Sequence, residues 1–160
     1  MSKAFAPGES DDDEERIIPK RPLLPPGTPN YITAEGARRL EAQRERLIAE
    51  KAALGDAVES KERARTLERH LDDITERLNA VQIVNLAKHD KDQIRFGATV
   101  TLRDTNGSTQ TWRIVGIDEV DLTKGWVSWI SPLARTLLDK RAGDTVRQGD
   151  QSWTVQNIDY

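Results

Sequence analysis

Asp56 and Glu59, three residues apart, are the one constellation in this sequence whose types and spacing suit chemistry at a hard cation. Carboxylate oxygens are the ligands Mg²⁺ prefers, but two alone hold it weakly, so the pair gains use where a partner adds ligands to the same ion. The competing reading is structural: Asp56 caps a helix and Glu59 completes the capping box. Just beyond them Lys61, Arg65 and Arg69 recur every four residues, with Arg63 nearby, and so share one helix face. That row is either a solvated face or a contact for RNA or phosphate. Other chemistry is missing. There is no phosphate-cradling glycine loop, no nucleophile elbow and no zinc spacing. His70 and His89 stand nineteen residues apart, and neither is assigned a catalytic or metal-binding role. These exclusions lead us to expect a binding protein, not an enzyme, with no catalytic residues and no cofactor of its own.

The elements that must position these residues fall into three segments. Residues 1–30 hold the acidic run Asp11 to Glu15 and six of the seven prolines, with little to bury; a disordered tail is expected. Residues 31–90 read as helix. Thr33 is a natural N-cap, and Glu35 sits where a first-turn acid favours the helix dipole. Leu40, Leu47 and Leu54 repeat every seven residues, with Ala37 on the same stripe. Ala64, Leu67, Leu71, Ile74, Leu78 and Val81 alternate spacings of three and four, the seam of a coiled coil. Gly55-Asp56 interrupts the two stripes, which predicts an antiparallel helical hairpin with its tip between Leu54 and Ser60.

Residues 91–160 read as β and contain all four tryptophans. Asn106-Gly107 is a strong hairpin turn between Val100–Leu102 and Thr111–Val115. Trp126–Ile130 continues the strand pattern. Ser131-Pro132 opens a short helix, with Leu133, Leu137 and Leu138 facing inward and Gly143-Asp144 ending it. Trp153–Ile158 closes a small antiparallel sheet. The fold class expected is therefore α+β: a coiled-coil hairpin followed by a small antiparallel β domain with one helix.

Composition narrows the function classes. The formal net charge of −3 argues against a protein that coats nucleic acid, and most of it comes from the tail. With no cysteine there is no disulfide framework. No apolar run approaches the ~20 residues of a membrane span, so a soluble cytoplasmic monomer without membrane contact is the expectation.

Four ordered blocks carry a family resemblance: Phe96–Ala98, Arg113–Asp121, Ser128–Leu138 and Gly143–Val146. They resemble the C-terminal domain of the bacterial GreA/GreB transcription elongation factors. Thr33–Gly36 and Gln82–Val84 are similar to the start and end of that family's N-terminal coiled coil. The resemblance implies an FKBP-like fold for the β domain, docked on the rim of the RNA polymerase secondary channel, with the hairpin inside the channel. It implies that Asp56 and Glu59 are metal-directed acids sharing the Mg²⁺ of the polymerase active site, where the polymerase itself cleaves backtracked RNA. It places Asp118, Glu119, Asp121, Ser131 and Pro132 in docking blocks, and turns Lys61, Arg65 and Arg69 toward nascent RNA. An FKBP-like fold would also permit prolyl isomerisation, but fold does not imply function.

Two departures from the family matter. After the acidic pair the family has Asn and an aromatic residue, where Ser60–Arg63 stands here. The arms are also short: Thr33 to Asp56 spans about 35 Å as helix, and Asp56 to Val84 about 43 Å. Two readings follow. One is a factor that stimulates transcript cleavage; the other is a non-cleaving paralogue competing for the channel, like the regulator of nucleoside diphosphate kinase.

Overall fold

A computed structural model describes residues 23–160. The acidic run of the expected tail lies outside the described residues. Strand β1 (Asn30–Ile32) leads into α1 (Ala34–Ala52), α2 (Val58–Ala80) and β2 (Val81–Ile83). Thr33 caps α1 as expected, its Oγ1 accepting the Gly36 N–H at 2.9 Å. The two helices form the antiparallel hairpin, about 28 and 34 Å long from their 19 and 23 residues. Its seam is the stripe read from the sequence. Leu47, Leu67 and Ile74 are buried together, flanked by Leu54, Leu71 and Leu78. Nearer the base, Ala37 and Leu40 pack on Ile32 of β1, with Leu78 and Val81 alongside. Two interhelical ion pairs flank the seam, Arg63–Glu50 at 2.6 Å and Lys51–Glu68 at 2.6 Å. In the second, the Lys51 ammonium holds the Glu68 carboxyl below its ordinary range.

A feature absent from the sequence reading closes the base. β1 and β2 pair in parallel, Tyr31 opposite Gln82, with the whole hairpin as their crossover. Each strand has only three residues, too few for a periodic signal.

The second unit is a five-stranded sheet in the order β5-β4-β3-β7-β6, from β3 (Thr99–Asp104), β4 (Thr109–Val115), β5 (Trp126–Ser128), β6 (Thr145–Gln148) and β7 (Gln151–Asp159). The β3–β4 turn forms at Asn106-Gly107: Gly107 adopts φ 87°, and Asp104 Oδ1 accepts the N–H groups of Asn106 and Ser108. One strand corrects the antiparallel expectation. β5 runs parallel to β4, because residues 116–125 carry the chain back across the end of the sheet through two 3₁₀ turns. The helix α3 (Pro132–Leu137) begins as expected, Ser131 Oγ accepting the Ala134 N–H, but stops six residues short of Gly143. Ala134 and Leu137 plug a core of Ile94, Val100, Leu102, Ile114, Trp153 and Val155.

Candidate functional site

The hairpin tip is a five-residue connection, 53–57, between α1 and α2. Asp56 lies in that loop and Glu59 in the first turn of α2; both are exposed. The capping-box reading does not hold. The N-cap of α2 is Ala57, with no side-chain cap bond, since Asp56 stands one residue too early to reach the helix amides. Neither carboxylate hydrogen-bonds or ion-pairs with any described residue, so their oxygens stay available to a ligand. Val58 between them is 71% exposed, apolar surface at the apex that no described residue covers. Among the described residues no group of three or more His, Asp or Glu side chains could hold a metal ion. The pair is at most a partial ligand set.

Lys61, Arg65 and Arg69 fall on the outer face of α2, all exposed. Arg69 reaches only Thr66 Oγ1 at 3.5 Å, and none of the three pairs with a described acid. Arg63 is different: it is spent on Glu50 across the seam. His70 lies half-buried on α2, and the His89 ring meets Tyr160 edge-on at 5.6 Å.

At the other end of the hairpin the acids are inside. Glu119 is 7% exposed, and its carboxylate accepts from Thr33 N–H (3.0 Å), Gly116 N–H (3.0 Å), the Thr33 hydroxyl and Arg39 (3.5 Å). Asp118, with a side chain 1% exposed, accepts from Asn30 Nδ2 at 3.1 Å and faces Arg77 at 3.6 Å. Of the residues in the expected docking blocks, these two are buried. Both carboxylates point away from solvent, because the 3₁₀ turn at Ile117–Glu119 packs directly on β1. Glycine makes that approach possible: a Cβ on Gly116 would sit 2.0 Å from Tyr31 O, and one on Gly36 2.2 Å from Glu119 Oε1. Asp121 remains partly exposed, capping the next turn; its bonds to Thr123 and Lys124 hold its carboxyl below the ordinary range. Ser131 is committed to capping α3, and Pro132 is exposed.

Sequence reasoning missed the residues that complete this joint. Arg39, Arg113 and Lys124 surround the Trp126 ring at 4.6, 5.0 and 5.0 Å. Arg113 also binds Glu35 at 3.0 Å, and that hydrogen bond holds the Glu35 carboxyl below its usual value. Glu35 thus ties the hairpin to the sheet, beyond favouring its own helix. Arg77, 6% exposed, bridges Asp73 and Asp118. Tyr31 packs on Phe96 and Trp129 at centroid distances of 5.8 and 5.0 Å. An arginine beside a heptad position was the one available signal, and it reads equally well as solvent-facing.

Comparison with known proteins identifies the family. The model of the family "Transcription elongation factor, GreA/GreB, C-term" matches residues 89–160. Transcription elongation factor GreB of Neisseria meningitidis serogroup B is 34% identical, covering 83% of this chain and 95% of the relative. GreB of Pseudomonas aeruginosa is 35% identical, covering 88% and 95%. A solved GreA/GreB factor from Nitrosomonas europaea superposes with a TM-score of 0.43 at 18% identity, over 81% of this chain and 98% of that one. On the strength of the identity and coverage of these sequence relatives, the chain belongs to the GreA/GreB family of transcription elongation factors.

Proposed function

We propose that this protein acts on bacterial RNA polymerase as a short-armed Gre factor. Its β domain docks at the secondary channel, its hairpin occupies the channel, and it modulates backtracked or paused complexes by competing with longer-armed factors. The observation that carries this reading is the hairpin itself, two helices of only 19 and 23 residues seated on the β domain through the buried Glu119 and Asp118. Docking falls to the surface around Asp121 and Pro132, while Lys61, Arg65 and Arg69 offer unpaired cations to nascent RNA along the channel.

Arm length supports the non-cleaving form. The alignment with the Neisseria relative spans 155 positions but uses 83% of the 160 residues here, about 133, so roughly twenty positions have no counterpart. If these positions fall in the hairpin, ten to each arm, the reach is shorter by about 15 Å. A carboxylate must come within about 2 Å of Mg²⁺ to bind it, so a gap of that size removes the contact. Asp56 and Glu59 have the oxygen chemistry to complete a Mg²⁺ shell supplied by the polymerase, where the ion would activate water. Their unpaired state favours the cleavage-stimulating form as the second reading.

The test follows RNA length in stalled, backtracked elongation complexes after adding the protein. We expect little shortening, together with inhibition of cleavage driven by a long-armed Gre factor. Efficient cleavage that disappears in the Asp56→Ala, Glu59→Ala variant would establish the second reading instead. Neither cleavage nor competition, with no binding to the polymerase, would overturn both.

A further inference from the structure

The hairpin is tied to the sheet by two routes. One is the Glu119 contact, where Gly116 leaves no slack: a Cβ there would meet Tyr31 O at 2.0 Å. The other is the covalent connector, residues 84–98. It leaves β2 with the Val84 N–H donating to Ile32 O at 3.0 Å and enters β3 at Thr99. On the connector side an open cavity of about 330 Å³ is lined by Tyr31 and Val84 of the hairpin base and by Phe96, Leu138 and Asp139. Tyr31 touches Phe96, but close packing does not fill the rest of this side. What holds the connector therefore matters to where the hairpin stands.

The far end of the connector is seated on the loop after α3. Gln93 pairs with Arg141 as an antiparallel bridge, and its Nε2 donates to Asp139 O at 3.0 Å. The Ile94 N–H donates to Lys140 O at 2.8 Å and the Asp139 N–H to Ile94 O at 2.9 Å. Asp139 takes a left-handed φ of 68°, and its carboxylate pairs with Arg95 at 2.6 Å. Arg141 adds a pair with Asp90 at 3.2 Å. Tyr160 closes this seat. Its hydroxyl accepts the Arg95 N–H at 2.8 Å and donates to Gln93 O at 2.5 Å, while its ring stands edge-on to His89. Burial pushes the hydroxyl above its ordinary value of 10.0, so it stays protonated and able to donate at neutral pH. One side chain thus grips the connector at three points, and it follows directly on β7, a strand bonded on both sides by β3 and β6.

We propose that Tyr160 is a positioning residue for the arm: by holding the connector to the end of β7, it sets the angle at which the hairpin leaves the sheet. The lever is long. A tilt of about 10° moves the tip of a ~30 Å arm by about 5 Å, where ~1 Å of misplacement already matters to chemistry. Tyr160 is 37% exposed, so its two hydrogen bonds are individually modest. They bias the connector without carrying the fold. Tyr160 plays this part whether or not the tip reaches a metal.

The chain has no cysteine, so Glu62→Cys on α2 and Thr109→Cys on β4, both exposed, accept one nitroxide each in the full-length protein. With Tyr160 in place the pair should give one narrow distance distribution. Tyr160→Phe keeps the ring against His89 and loses both hydrogen bonds; the distribution should widen at least about 1.5-fold, and further in Tyr160→Ala. Amide exchange separates a positioning role from a general one. The Ile94 and Asp139 amides, which Tyr160 does not bond, should exchange about tenfold faster in Tyr160→Phe, while those of β3 and β7 keep their protection. An unchanged width in both variants would overturn the proposal. So would widening with an equal loss of protection along β3 and β7, since Tyr160 would then serve the sheet as a whole.

Discussion

The two ends of the hairpin carry the same kind of side chain in opposite circumstances. At the base, Glu119 and Asp118 are enclosed and meet donors from β1, the start of α1, α2 and the residue that caps their own 3₁₀ turn. At the tip, Asp56 and Glu59 are exposed and meet none among the described residues. A buried carboxylate is tolerable only when its oxygens are satisfied, so the base acids fix how the arm stands on the sheet. An exposed carboxylate without partners contributes almost nothing to folding and is left for something outside the chain. Residue type is shared; surroundings separate structural acid from available acid.

The largest effect that would break this comparison lies at the base. Glu119→Ala strands the Thr33 and Gly116 N–H groups and should cost about 4 kcal/mol of stability in urea unfolding. A loss below about 1 kcal/mol would mean that the joint is wet and the base acids resemble those of the tip. Gly116→Ala forces a Cβ against the Tyr31 carbonyl and should cost about 3 kcal/mol while leaving every carboxylate in place. The same melts should show the hairpin loosening from the sheet.

Glu35 lies between the two extremes, half-exposed at 49% yet bound to Arg113. Its carboxyl is held below the ordinary 4.5, chiefly by that hydrogen bond. The folded state therefore binds the proton more weakly, and the contribution is present above pH 4.5 and lost as pH falls through the lowered value. Discounted for solvent, Glu35→Gln should cost at most about 0.5 kcal/mol at neutral pH. The difference from the unaltered protein should close in unfolding curves taken well below pH 4.5. The smallest effect belongs to the tip: Asp56→Ala with Glu59→Ala should change stability by less than about 0.5 kcal/mol. A larger loss would show that these acids serve the fold after all.

Much of the architecture was legible because its signals are local. The heptad seam, the Thr33 cap, the Asn106-Gly107 turn and the Ser131-Pro132 helix start each depend on residues within a few positions of one another. Of the candidate site, the exposed tip pair and the cationic row were legible as one helix end and one helix face. The capping box was misjudged by one residue, the difference between Asp56 and Ala57 as N-cap.

By itself, then, the sequence determined the hairpin, its seam, the order of helices before sheet, and the family. Only the tertiary structure decided the parallel β1–β2 clasp, the parallel β5, and the inward turn of Asp118 and Glu119. Those contacts join residues far apart in the chain, as Thr33 and Glu119 are, 86 positions distant. No local periodicity records such a meeting. It exists because two glycines let the 3₁₀ turn approach β1 and α1 closely enough for one carboxylate to satisfy donors from both.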